Sequence, residues 1–435
     1  MFKNKFILAI IVIEIFIFSE CFSETRKIKE IEFKGNENTS IETLKSITQL
    51  KSGEEYNKSK IDNAIQNIKN TTVFTNVTAE IIEVKESKNE IKIVFNMEKK
   101  WTIIPYLIAG SGGGTSYYSV GVFDTNLFNE LYIANFNIKV ENNKPNLSLS
   151  LLDNYAFDNN VIMGIIANVI NKKDIYFDSN SKEIGYLSFK GSSINPYFLW
   201  KFTDYFDYGG GILYQESSEI NDILSTDEVN INQQNNIKTP YSYTTVSLQS
   251  RLNLGIINFN ELTQSGVQFT SLINSTAGLN LTNSNKEDYN ETTATILGFY
   301  PISFLKSTYI ATRLGFYGTD SNNPIKLTFL GGLDKVRGFN YSQFNGKTAY
   351  YLNFEFRYTA WEGNTFAFQV VPFFDMANTG NDVNQIISKQ SASSYGMGIR
   401  IPFKNINKIA VRIDYAQTIT PFKLNGLSFG LTQLF

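Results

Sequence analysis

The side chains that usually carry catalysis are nearly missing from this sequence. It has no histidine and one cysteine, Cys21, in 435 residues. A Ser-His-Asp triad, a histidine general base and a His-ligated zinc are therefore excluded. A single thiol makes no disulfide framework, thiolate zinc finger or iron–sulfur cluster. The chain has no P-loop, and no nucleophile elbow is expected, so neither an enzyme nor a cofactor is foreseen. With 39 basic and 41 acidic side chains the net charge is −2, which offers no general attraction to nucleic acid. One polar constellation stands out, in the longest connection of the chain, 319–347. It holds Gly331-Gly332 and then Val336-Arg337-Gly338-Phe339. By themselves these residues read as flexible turns with a surface charge. The alternative is recognition, because a guanidinium can fork onto carboxylates and glycine lets the backbone turn and approach closely.

The elements that must position this loop start after a targeting segment. Lys3 and Lys5 precede the apolar stretch Phe6 to Phe18, interrupted only by Glu14, and Ser19-Glu20-Cys21-Phe22-Ser23 follows. That order is expected of a secretory signal peptide over 1–23, too short to span a bilayer. Lipid attachment at Cys21 is the weaker alternative, since Glu20 stands where a small residue is wanted. No later segment has about 18 consecutive apolar residues, so no transmembrane helix is expected.

Residues 24–100 predict a small α+β domain. Ile28, Ile31 and Phe33 mark a strand closed by Gly35-Asn36. Thr39 or Ser40 can cap a helix over 41–48, and Ile61, Ile65 and Ile68 have helical spacing over 58–69. Strands near 73–84 and 90–97 complete the order β-α-α-β-β.

From Trp101 onward the pattern is strand after strand, sixteen in all between 103–110 and 426–435. Strands of about ten residues suit a tilted crossing of a bilayer. Connections alternate: short ones, as at Asp158-Asn159 or Glu362-Gly363, and long ones at 171–182, 218–240, 319–347 and 378–391. This alternation predicts an antiparallel transmembrane β-barrel over 101–435. An even strand count puts both barrel ends, and the small domain, on the short-turn side. In 348–359, Tyr350, Leu352, Phe354, Phe356 and Tyr358 share one face, while Tyr351, Asn353, Glu355, Arg357 and Thr359 share the other. The first face is expected to meet lipid and the second to line the lumen; the same alternation puts Asp375 on the lumen side. Tyr117, Tyr118, Tyr155, Tyr350 and Trp361 are expected in the interfacial girdles. Lipid cannot satisfy an open sheet edge, so the barrel must close. At the closing seam, Pro105 in the first strand cannot donate a ladder bond, and Gly426 and Gly430 weaken the last. That last strand, with Leu427, Phe429, Leu431 and the terminal Phe435 on one face, looks like an export tag for barrel assembly.

At the loop tip the sequence resembles the outer-membrane assembly-factor superfamily, the group of BamA, TamA and the two-partner secretion translocators. Their sixth extracellular loop folds into the barrel and carries a V-R-G-F/Y tip. The resemblance implies that Val336, Arg337, Gly338 and Phe339 form this tip. It also implies that Glu355 and Asp375, on the wall of the next two strands, receive Arg337. A partly wet lumen would make removal of one partner cost about 1–3 kcal/mol. The small domain looks like a POTRA domain, matching at Gly35-Asn36, Leu44, Gly53, Tyr56, Ile65, Phe74, Val77 and Glu98. Asn126-Leu127-Phe128 resembles the family's first barrel hairpin. The implied localisation is the bacterial outer membrane with the POTRA domain in the periplasm. The implied function is insertion of outer-membrane proteins, with clients captured at strand 73–84 and released through the seam. The alternatives are a two-partner-type secretion translocator and a passive pore. Implied partners are unfolded outer-membrane or secreted clients, outer-membrane lipid, and periplasmic accessory proteins or lipoproteins; nucleic acid is not among them.

Overall fold

Two periodicities divide the chain. The structure, a computed structural model, describes residues 26–432 apart from 38, 85–86, 88, 113–114, 142, 220–223, 239, 282–283, 333–334 and 405–408. The expected signal peptide, Cys21 and Phe435 lie outside the described residues.

Helical spacing governs the first part, which contains β1 (Lys27–Lys34), α1 (Ile41–Thr48), α2 (Lys58–Asn70), β2 (Phe74–Glu83) and β3 (Glu90–Lys99). Strand β3 lies in the middle, parallel to β1 and antiparallel to β2. Leu44, Ile47, Ile61 and Ile68 pack the helices onto Ile28, Ile91, Ile93 and Phe95 of the sheet. Of the two candidate caps, Ser40 closes α1, its Oγ accepting from the Thr43 N–H at 3.3 Å. Thr39 is buried and serves elsewhere: its Oγ1 accepts from Asn126 Nδ2 at 3.0 Å. The outer edge of β1 is partly covered by the segment 53–56, for example through Ile28 N–H donating to the Glu54 carbonyl at 2.9 Å. Strand β2 is the other edge of the sheet.

A period of two governs the rest. The strands are β4 (Ile103–Gly112), β5 (Thr115–Leu127), β6 (Tyr132–Glu141), β7 (Lys144–Tyr155), β8 (Val161–Phe177), β9 (Glu183–Thr203), β10 (Phe206–Glu219), β11 (Tyr243–Asn260), β12 (Thr263–Asn280), β13 (Tyr289–Pro301) and β14 (Tyr309–Thr319). After two short strands, β15 (Thr328–Leu330) and β16 (Phe344–Gly346), come β17 (Thr348–Glu362), β18 (Ala367–Gly380), β19 (Ala392–Pro402), β20 (Ile409–Thr420) and β21 (Asn425–Thr432). Sixteen of them form one sheet in chain order from β4 to β21, with β15 and β16 set apart as a hairpin in the loop. The fold is mainly β, as the alternation implied. Strands β4 and β21 lie side by side, but among the described residues no backbone ladder joins them. Leu107, Val120, Leu149, Phe198, Leu248, Met397 and Leu427 stand exposed on the outer face, a surface suited to hydrocarbon. Among the described residues no helix is long and apolar enough to cross a bilayer.

The loop lengths need one correction. The expected long connection 171–182 shrinks to 178–182, because β8 and β9 stay paired out to Tyr176↔Gly185 and Phe177↔Glu183. The run Asn171-Lys172-Lys173-Asp174 broke the apolar alternation, yet polar residues pair well where a strand projects beyond lipid. Two other connections carry short helices, α3 (Thr226–Gln234) and α4 (Val383–Ser388).

The small domain docks on the short turns. Ser40 N–H donates to the Asn129 carbonyl at 2.8 Å, and Asn126 Oδ1 accepts from the Leu131 N–H at 3.0 Å. Asn126-Leu127-Phe128 thus shapes the turn that receives α1. Away from this turn, Asn70 of α2 bonds Asn258 at 3.1 Å and the Phe259 N–H at 3.2 Å on β11. Helix α2 therefore reaches the barrel mouth at β11 while α1 holds the β5–β6 turn. Tyr155 packs against the small domain's core, so its expected place in a lipid girdle is not where its ring lies; Trp361 is exposed, as a girdle residue should be.

Candidate functional site

The long loop enters the barrel as a hairpin. Strands β15 and β16 pair Thr328↔Gly346 through Leu330↔Phe344. Gly331 and Gly332 then turn the chain at φ +127° and +74°, a left-handed region open to glycine. A Cβ on Gly331 would lie 2.2 Å from the Asn340 carbonyl oxygen, and Gly332 N–H donates to the Phe339 carbonyl at 3.1 Å. The glycine pair is thus the base of a closed tip, not a flexible tether.

At the tip Val336, Arg337 and Phe339 are buried. Arg337 donates to Asp375 three times: from its backbone N–H at 3.0 Å, Nε at 2.7 Å and Nη2 at 2.8 Å. Its Nη1 reaches Glu355 Oε1 at 2.7 Å and Asp414 Oδ2 at 3.3 Å. The guanidinium also lies 3.5 Å from the centre of the Phe373 ring. The structure brings together Arg337, Glu355 and Asp375, and adds partners the sequence reading did not single out. Arg357 Nε donates to Glu355 Oε2 at 2.8 Å, and Arg400 Nη2 donates to Glu355 Oε1 at 3.0 Å and Asp414 Oδ2 at 3.2 Å. Asn353 Nδ2 donates to Asp375 Oδ1 at 2.8 Å. Asp414, Arg400 and Arg357 were legible only as lumen-facing positions of their strands; nothing in spacing marked them as one network. Arg337, Glu355 and Asp375 are at most 1% exposed, so the clasp is dry. Breaking a dry set of this kind costs about 3–5 kcal/mol, more than in a partly wet lumen, because the orphaned charges stay desolvated.

The seam residues occupy distinct places. Pro105 lies on β4, opposite Val122 of β5, at the sheet's end strand. Gly426 of β21 lies against the loop tip: a Cβ there would come 3.3 Å from Gly338 Cα. Gly338, at φ +91°, would itself bring a Cβ within 3.2 Å of Ala416 and Thr418. A Cβ on Gly430 would lie 3.4 Å from Arg412 Nε. Gly426 therefore makes room for the loop tip, whereas at Gly430 a Cβ would meet Arg412 only at ordinary contact distance. Phe339 stacks edge-on against Phe422 in the β20–β21 turn, centroids 5.9 Å apart. Gly426-Leu427-Ser428-Phe429-Gly430 has the spacing of a nucleophile elbow, but it is extended strand, with Ser428 buried. Among the described residues no group of three or more His, Cys, Asp or Glu side chains could hold a metal ion.

Residues 26–100 match the POTRA family model, described as surface antigen variable number repeat. Three solved structures share the architecture. BamA from Haemophilus ducreyi lacking POTRA domains 1–3 aligns over 94% of this chain and 85% of its own at 16% identity, TM-score 0.54. CdiB from Acinetobacter baumannii aligns over 94% and 74% at 14% identity, TM-score 0.59. CdiB from Escherichia coli aligns over 94% and 77% at 11% identity, also TM-score 0.59. No curated protein sequence matches the chain. The chain thus has the fold of these BamA and CdiB structures, and its first part, 26–100, is a POTRA domain, joined here to a sixteen-stranded sheet.

Proposed function

We propose that this protein is an outer-membrane protein assembly factor, with its POTRA domain in the periplasm. Unfolded clients pair with the open edge of β2 by main-chain hydrogen bonds, which need no particular sequence. They then enter the membrane where β4 meets β21. The observation that carries this reading is the absence, among described residues, of a ladder between those two strands. An unpaired edge in lipid leaves polar groups without partners, which a client strand would satisfy. Strand pairing and lipid transfer need no nucleotide, metal or cofactor. Outer-membrane lipid and periplasmic accessory proteins or lipoproteins complete the set of partners.

A second reading, secretion of an extended client through the lumen, is supported by open space at the short-turn end of the barrel. A chamber of about 690 Å³ lies between the end of α2 at Asn70–Thr72 and the barrel strands, and one of about 440 Å³ lies beside Arg251. A cysteine pair joining 103–107 of β4 to 427–429 of β21, in a Cys21→Ser background, separates the two. Oxidation should stop assembly of other barrels while a lumen-borne client is still exported. Barrel assembly that continues unchanged after locking would exclude the seam as the route.

A further inference from the structure

The loop carries a second buried cation, eleven residues before the first. Lys326 follows Pro324 and Ile325 in a single 3-10 turn at the outer end of the barrel and is 7% exposed. Its Nζ donates to Gln215 Oε1 on β10 at 2.9 Å and to Glu291 Oε2 on β13 at 3.0 Å. The ammonium lies 4.9 Å from the centre of the Tyr289 ring and 5.8 Å from that of Tyr243. The Tyr317 hydroxyl lies 2.6 Å from the Lys326 carbonyl oxygen and 3.0 Å from Glu291 Oε1, and donates to one of them.

An ammonium taken from water needs replacement hydrogen-bond acceptors, a counter-charge and polarisable surroundings. Here all three are supplied by the barrel wall and none by the loop itself. The anchor is also remote from the first. Lys326 grips β10, β11 and β13, whereas Arg337 grips β17, β18 and β20. Losing the Arg337 clasp would therefore leave the base of the hairpin still tied to a separate arc of the barrel, on the other side of β14.

We propose that Lys326 is a positioning residue that latches the loop inside the lumen independently of Arg337, so that the plug leaves only when both cations let go. The latch deepens the second reading above, in which an extended client crosses the lumen, and rests on it, because such a client passes only when the loop leaves. Two independent latches contribute additively in free energy, so their effects on loop exit multiply.

The test reads loop exit directly in the full-length protein in lipid vesicles, without a client. A cysteine replaces the buried Gln343, with Cys21→Ser, and its labelling by a membrane-impermeant maleimide is timed. Lys326→Met keeps length and packing but removes the charge. In an Arg337→Ala background it should speed labelling by about tenfold beyond Arg337→Ala alone, equivalent to about 1.4 kcal/mol. Lys326→Arg, which keeps a cation over the Tyr289 ring, should stay within about twofold of its parent. Glu291→Gln, which leaves Lys326 in place, should act in the direction of Lys326→Met and serves if that variant misfolds. Equal labelling with and without the Met substitution overturns the proposal. So does equal acceleration by Met and Arg, which would assign the effect to packing. Since no client is present, failure here leaves the seam-locking result intact.

Discussion

Between β17 and β20 the lumen wall presents Glu355, Arg357, Asp375, Arg400, Arg412 and Asp414; between β5 and β12 it presents Ser119, Asn137, Ser148, Asn168, Asn195, Gln249 and Asn274, with charge limited to Arg251 and to ion pairs nearer the loops, as Lys139–Glu141 and Lys172–Asp174. Both walls are hydrogen-bonded, but the currencies differ. On the first, carboxylates and guanidinium groups meet the loop tip in a dry cluster. On the second, amides and hydroxyls bond one another, as Asn195 to Gln249 at 2.8 Å and Gln249 to Asn274 at 3.0 Å, with Arg251 lying 3.8 Å from the Tyr197 ring centre. A buried charge that loses its partner has no cheap substitute, whereas an amide beside a water-sized space can exchange its partner for water. The charged wall therefore fixes geometry, and the neutral wall leaves a surface along which water or an extended chain can trade hydrogen bonds.

The largest expected effect is on the charged side. Arg337→Ala should destabilise the folded barrel by about 3–5 kcal/mol, read as a fall in the thermal midpoint in detergent. A midpoint unchanged within error would place the clasp outside the stability of the barrel. An intermediate effect is expected where the tip touches β20, the strand before the last. Gly338→Ala forces a side chain into the left-handed region beside Ala416 and Thr418, a cost of about 1–2 kcal/mol. If Gly338→Ala matches wild type by the same measurement, the close approach of tip and β20 does not hold the loop.

How much of this was legible in the sequence follows from the range of each interaction. Alternation is local, so the strand count and the lumen side of Glu355 and Asp375 could be taken from neighbouring residues. The β8–β9 hairpin was misjudged because Lys172, Lys173 and Asp174 look like loop when judged by hydrophobicity alone, although a strand outside lipid has no need of apolar residues. The Arg337 tip needed the family resemblance, since a lone arginine beside glycine specifies no partner. Asp414 and Arg400 join the network only when strands β19 and β20 come beside β18, a register that no local pattern encodes. By sequence Gly426 reads only as a weak point of its strand, because its neighbour, Gly338 from a loop far earlier in the chain, is invisible until the barrel closes.

The smallest effect belongs to the neutral wall. Gln249 sits between Asn195 and Asn274, and its Oε1 also accepts from Arg251 Nε at 3.1 Å. Gln249→Ala removes bonds to three side chains, so counting contacts alone would make it a severe change. Arg251 also lines the chamber of about 440 Å³. Water there can reach the freed groups, and Arg251 keeps Asn195 Oδ1 at 2.6 Å. The net cost should then be near that of one ordinary hydrogen bond, about 1 kcal/mol, or about 2–4 °C in the thermal midpoint. A loss as large as that of Arg337→Ala would mean that the neutral wall is as dry and rigid as the charged one. The wall's supposed freedom to exchange partners would then have no basis, and the lumen route for an extended client would lose its physical support.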